Sequence, residues 1–235
     1  MKKLSQSLDY IITASEVENI ISNIEAIKKQ LIEITLVPQE KLLNKSNNCV
    51  GDVVMKDFSI TKVQEAKDRL DEVFGIAFHV NGSEVRFVAL DKSEEKLMFK
   101  IENTFISEYL PLYNNISDAR NDMNGKMNSE IIKNAPDFTK EKYPSMGYCM
   151  DYNRFGFDKG MWYLPSIGEL EQIYKSKEEL NKTLRILGKE EITDGWYTSS
   201  SDCCAEWCWW FCMGNNYVNR SGRNSLGWVR PCFKI

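Results

Sequence analysis

The sequence predicts an α+β chain, with helices and short strands in separate runs and a further helix ahead of them. Three observations predict it. An apolar seam at heptad spacing runs between residues 8 and 36. Two apolar strand-like runs, "VFGIAFHV" and "EVRFVAL", flank a turn at Asn81-Gly82. The stretch "WYLPSIGELEQIY" passes from a strand pattern through Pro165 into an amphipathic helix.

The N-terminal seam consists of Val17, Ile20, Ile24, Ile27, Leu31 and Ile34, spaced alternately by three and four residues. Ser15 and Glu18 stand at capping-box spacing at its start. Isoleucine at both seam positions favours trimers. Two readings stay open: a homotrimer through this helix, or a stripe that packs on its own domain. Pro38 and "NKSNN" end the pattern, so the expected organisation is a helix over 1–37, a linker over 38–49 and one domain over 50–235.

Within the domain, "CVGDVVM" reads as a first short strand and 117–134 as a polar loop and a helix. The sole histidine, His79, lies in a strand run and is expected to be a packed strand residue. Trp162, Tyr163 and Leu164 read as a short strand, with Pro165 in the first helical turn and a capping box at Ser166 and Glu169. A second helical run over 180–187 ends at Gly188. Short strands and Gly/Asn/Ser turns complete the chain.

Composition excludes several classes. A formal charge of −4 argues against a nucleic-acid-binding surface. No run approaches the ~20 apolar residues of a membrane span. The N-terminus makes a poor secretory signal, so synthesis in the cytoplasm, with reduced thiols, is expected. Seven cysteines, an odd number, do not complete a disulfide framework. Cys49, Cys149 and Cys232 are expected to be buried small hydrophobes.

"DMNGK" at 122–126, "YPSMGYC" at 143–149, "GMWYLPSIGELEQIY" at 160–174, "WYTSSS" at 196–201 and "WVRPCF" at 228–233 occur in an order that resembles bacterial and phage proteins with the Lcl C-terminal-like domain. That family belongs to the C-type lectin fold group, and the resemblance spans roughly residues 50 to 235. It implies two helices, a central twisted antiparallel sheet and long C-terminal loops. Trp162, Trp207 and Phe211 would then be core aromatics, and Arg230 would fix loop backbone through its fork of donors. A subset of proteins with this fold are the variable proteins of diversity-generating retroelements, whose C-terminal coding segment is rewritten at adenines. Asparagine codons are the usual targets and can become Cys, Ser, Asp, Gly, Tyr, Arg or Leu, but not Trp, Met, Glu or Lys. The resemblance places such a segment at about 196–233.

That segment raises sharper alternatives. Cys203, Cys204, Cys208 and Cys212 do not have the two-to-four-residue knuckle spacing of structural zinc sites. On a strand, Cys208 and Cys212 would stand about 13 Å apart, too far to share an ion. Disulfides among the four remain open after release to an oxidising exterior. Formylglycine-generating enzymes share the fold and use a cysteine pair, yet the quoted motifs resemble the Lcl-like family instead. Neither tripeptide of the calcium-dependent sugar binders, Glu-Pro-Asn or Gln-Pro-Asp, occurs in the sequence. No catalytic residue, metal or other cofactor is therefore expected, and the chain reads as a non-enzyme.

What remains is a binding surface of rigid aromatics with small adaptable polar residues, the mixture antibody loops use. Of the neighbours Trp209 and Trp210, strand alternation should turn one outward. The expected ligand-binding residues are Asp202, Cys203, Cys204, Cys208, Trp210, Cys212, Asn215, Asn216, Tyr217, Asn219, Arg220, Ser221, Asn224, Ser225 and Leu226. The expected partner is a protein or glycan ligand held by the C-terminal loops, and a phage particle or a cell surface is the expected final location of the chain. The alternative is a fixed structural or adhesion protein of a phage tail or cell envelope.

Overall fold

A computed structural model describes residues 48–235 apart from Ser107 and Ala205. The helix expected over 1–37, its trimer seam and all but the last two linker residues lie outside the described residues.

The apolar runs on either side of Asn81-Gly82 form β3 (Val73–Asn81) and β4 (Glu84–Ala89). Gly82 supplies the turn with φ +61°, which a residue without a Cβ adopts freely. Around this hairpin lie β1 (Val53–Met55), β2 (Ile60–Thr61) and, from the far end of the sequence, β10 (Cys232–Lys234). All pair antiparallel in the order β10-β4-β3-β1-β2. Phe233 of β10 stands opposite Phe87 and stacks on it at 4.9 Å and on Phe74 at 5.2 Å. Trp162 meets Phe233 edge-on at 4.9 Å and gives its indole N–H to Asp158. These fully buried aromatics form the centre of the main core.

Five α-helices follow the sheet hairpin among the described residues: α1 (Ile116–Arg120), α2 (Gly125–Lys133), α3 (Pro144–Asp151), α4 (Ile167–Lys175) and α5 (Lys177–Ile186). A second sheet, antiparallel and in chain order, holds β6 (Trp196–Asp202), β7 (Trp207–Cys212) and β8 (Tyr217–Gly222). A two-stranded ladder joins β5 (Leu97–Met98) to β9 (Leu226–Gly227).

The segments are tied together by a buried polar knot, where "DMNGK", "PSIGE" and "TSSS" converge. The Asp122 carboxylate accepts from Ser201 Oγ at 2.6 Å and Asn128 Nδ2 at 2.8 Å. Its carbonyl accepts from Ser166 Oγ at 2.7 Å and the Gly168 N–H at 2.9 Å. Glu169, wholly buried, accepts from the Ser166 N–H at 2.9 Å and Tyr163 Oη at 2.8 Å, and pairs with Arg86 of β4. Burial pushes the Glu169 carboxyl up, against the pull of Arg86 and these donors. The capping box expected at Ser166 and Glu169 is present, and Glu169 doubles as the knot's second anchor. Two glycines allow the close approach. A Cβ on Gly125 would lie 2.1 Å from Glu169 Oε2, and one on Gly168 would lie 2.3 Å from the Asp122 carbonyl oxygen.

Several expectations are corrected. Trp162–Leu164 is not a strand: one isolated bridge pairs Tyr163 with Cys232, and the Leu164 N–H goes to Ser129 Oγ instead of a ladder. Pro165 precedes the helix, because Ser166 takes the cap position. Cys49 is exposed, whereas Cys149 and Cys232 are buried as expected. Trp207 is 45% exposed rather than core, because the residue opposite it in the ladder, Gly222, has no side chain to cover it. The turn at Gly188 ends α5 with φ +65°, and Arg230 donates to the Ala89 and Glu190 carbonyls, both as expected.

Gly168→Ala should destabilise the protein by about 1–3 kcal/mol, since its methyl would strike a backbone oxygen that cannot swing away. The midpoint of urea unfolding measures this, and an unchanged midpoint would mean that the knot is loose.

Candidate functional site

The register of β6, β7 and β8 sorts the C-terminal residues onto two faces. Tyr197, Trp209, Phe211, Val218 and Arg220 share one face. Trp196, Thr198, Cys208, Trp210, Cys212, Tyr217, Asn219 and Ser221 share the other. On the first face Trp209, Phe211 and Val218 enter the main core, and the Trp209 indole donates to the Tyr113 carbonyl at 2.8 Å. The Arg220 guanidinium lies over the Trp209 ring at 5.5 Å, with Nη1 3.8 Å from Cys203 Sγ.

On the second face β9 crosses over Trp210. A Cβ on Gly227 would stand 2.1 Å from that ring, so only glycine lets the strand pass. Trp210 is thereby buried, and its indole N–H points to Cys208 Sγ at 3.1 Å. Beside this covered strip opens a cleft of about 240 Å³, with Trp210 at its base and Trp196, Asn219, Ser221, Ser225 and Leu226 around it. Tyr217 meets Trp196 edge-on at 6.0 Å and extends the aromatic wall. The Ser221 and Ser225 hydroxyls bond each other at 2.7 Å.

The predicted residues therefore separate. Tyr217, Asn219, Arg220, Ser221, Asn224, Ser225 and Leu226 lie along β8 and the turn into β9, with Tyr217 and Leu226 more than half exposed. Cys204 and Cys212 are partly exposed. Asn215 and Asn216 form the β7–β8 turn. Asn216 takes φ +59°, its side chain and carbonyl both accept from Arg120 at 3.0 and 2.6 Å, and Asn215 accepts the Tyr217 N–H. Their geometry is that of a clamped turn.

Four expectations of a solvent-facing surface are overturned. Asp202, Cys203 and Cys208 are buried, as is most of Trp210. Neither Trp209 nor Trp210 turns outward, because β7 is the central strand and is covered on both faces. Asp202 forms a buried ion pair with Arg223 Nη2, at 2.6 and 2.8 Å. That guanidinium also donates to the Cys204 carbonyl at 2.6 Å. Burial pushes the Asp202 carboxyl up while Arg223 pulls it back. Burial likewise raises the Cys203 thiol, and lifts that of Cys208 to about 12. All seven cysteines are thiols. Among the described residues no group of three or more His, Cys, Asp or Glu side chains is placed to hold a metal ion. No helix among them is long and apolar enough to cross a membrane.

Three contributors escape a sequence reading. Trp196 opens the "WYTSSS" motif and looks like framework, but strand alternation sets it on the cleft face with Trp210. Arg120 and Arg223 act across 96 and 21 residues, and no local pattern announces such pairings.

No protein-family model matches the chain, and no curated protein matches it. Among solved structures, a fimbrial protein from Bacteroides ovatus ATCC 8483 is similar in fold, with a TM-score of 0.60 at 16% identity. The likeness covers 79% of this chain and 48% of that one, so this chain spans about half the length of the fimbrial protein.

Asp202→Ala should cost about 3–5 kcal/mol in urea unfolding, because it takes the opposite charge of their ion pair away from the buried Arg223 guanidinium. Asn224→Ala, on the exposed turn, should stay within about 0.5 kcal/mol. In the folded protein only Cys49, Cys204 and Cys212 should react quickly with an aromatic disulfide reagent at mild alkaline pH. Cys203 and Cys208 should wait for unfolding. Rapid labelling of either, read by mass spectrometry of peptides, would contradict their burial.

Proposed function

We propose that this chain is a non-enzymatic ligand-binding protein that displays a variable surface on a C-type-lectin scaffold, diversified by a retroelement. One observation carries the reading. Most exposed residues of the C-terminal segment, Glu206 and Trp207 apart, lie on β8 and the turns at its two ends, beside one cleft, while the motifs ahead of them, "DMNGK", "PSIGE" and "TSSS", are locked into the buried knot. A frame that stays constant beside a strand that can change is the division such a protein needs. The shared sheet of β1 and β10, with the helices between them in sequence and the β6–β9 region after the helices, suits the proposed scaffold.

The burial of Cys203 and Cys208 narrows this reading. Those two thiols are explained by packing alone, so the case from rewritten asparagine codons rests on Cys204, Cys212, Arg220, Gly222 and Leu226 beside Asn215, Asn216, Asn219 and Asn224. The ligand is a protein or glycan, the chain itself is displayed on a phage particle or cell surface, and a homotrimer through the N-terminal helix would strengthen weak contacts by avidity.

The second reading is a fixed structural or adhesion protein of a phage tail or cell envelope. It is favoured by the fold shared with a protein described as fimbrial.

Sequencing the DNA that flanks the gene separates the two. A near-identical repeat of the segment encoding 196–233, beside a reverse transcriptase gene, is expected. Its mismatches should fall at adenines of the repeat and should cover β8 codons more than those of Asp202 or Trp210. Absence of the repeat would leave the fixed adhesion reading.

A further inference from the structure

We propose that the β8–β9 cleft binds one neutral sugar ring of a glycan, without calcium. This rests on the reading of that face as a ligand surface, and goes further by naming the ligand's chemistry.

Size is the first constraint. At about 240 Å³ the cleft is smaller than the roughly 300–1,000 Å³ of sites for drug-sized ligands, so it takes one ring or side chain at a time. Charge is the second. Among the described residues Arg220 is the one ionisable residue around the cleft, and its guanidinium lies over Trp209 on the opposite face of the sheet, engaged with Cys203 Sγ. A phosphate, carboxylate or ammonium would enter with no counter-charge to meet it.

The hydrogen-bond inventory gives the third constraint. The Trp210 indole N–H is spent on Cys208 Sγ and its ring is buried under β9, so the base offers the ligand no hydrogen-bond donor. Asn219 Oδ1 accepts the Arg220 N–H, and among the described residues no partner takes the two Asn219 amide hydrogens. Of the two hydroxyl hydrogens of Ser221 and Ser225, one closes their mutual bond and the other is left to face a ligand. The cleft thus presents neutral donors beside the half-buried Trp196 ring and the exposed Leu226, above the buried Trp210. A ligand that fits has an apolar C–H face to lay against Trp196 and Leu226 and several uncharged oxygen acceptors along its edge. A sugar ring, with hydroxyl, ring-oxygen or acetamido acceptors, combines both. An apolar peptide side chain would fill the space but leave the donors unpaired, a penalty of buried polar groups.

The test uses the full chain and a panel of methyl glycosides of neutral hexoses and N-acetylhexosamines, with binding read by saturation-transfer NMR and tryptophan fluorescence. At least one glycoside should bind, equally well with EDTA present. Asn219→Ala and Ser225→Ala should each weaken it several-fold to about tenfold, with circular dichroism unchanged. Glu178→Gln, on exposed α5, should not. The proposal is overturned if no neutral glycoside binds, if binding needs a divalent ion, or if neither cleft variant weakens it. Should displayed peptides, and no sugar, bind in a way that Asn219→Ala abolishes, the sugar assignment falls while the ligand surface stands. Sugar binding in a gene without a flanking repeat would instead overturn diversification and leave this site in place.

Discussion

Two carboxylates taken out of water, Asp122 and Glu169, govern how the rest of this domain can be arranged. Each is buried, and each survives burial only because serine hydroxyls, backbone N–H groups, an asparagine amide, a tyrosine and Arg86 surround it. Those donors come from β4, α2, the segment that leads into α4, and β6. Removing any one leaves a charged or polar atom unpaired in the core, so the four elements are held as a unit. The same constraint explains the glycines at 125 and 168, where backbone must approach within contact of the Glu169 carboxylate and the Asp122 carbonyl respectively. The ordered motifs that mark the sequence are in large part the components of this knot.

The knot fixes the end of β6, and β6 in turn sets the positions of β7 and β8. β7 lies in the middle of its sheet, with the main core on one face and β9 on the other, so its residues from Cys208 to Phe211 are packing residues and only its two ends reach solvent. β8 lies at the edge and is covered on one face alone. Adjacent strands of a single hairpin therefore face opposite demands. Val218 must fit a core, while Asn219 and Ser221 stand at a cleft open to solvent. Substitution at Asn219 or Ser221, on the cleft face of β8, is buffered from the main core by the strand itself.

Local chemistry was legible where it was short in range. The Asn81-Gly82 turn, the capping box at Ser166 and Glu169 and the stop at Gly188 each follow from the conformational preferences of a few adjacent residues. The burial of "WCWWFC" was less legible. An unbroken apolar run is also what a strand covered on both faces looks like, and alternation turns one of two neighbouring tryptophans outward only where a single face is covered. The exposure of Trp207 depends on Gly222 opposite, and the burial of Asp202 on Arg223, partners that only the ladder and the turn bring together. Most of the cleft, by contrast, was visible: of its surrounding residues, all but Trp196 are among the ligand-binding residues expected from the sequence.

The pairing of β10 with β4 carries a different kind of consequence, one for the lifetime of defective chains. Phe233 completes the aromatic stack with Phe74 and Phe87, and the backbone of Ile235 bonds that of Val85 in both directions. The central sheet cannot close until β10 has been translated. A nonsense or frameshift event anywhere between β7 and β10 therefore yields a chain whose core is open along β4, exposed to proteolysis rather than folded and displayed. In this architecture, readthrough of the C-terminal segment is checked by the fold itself.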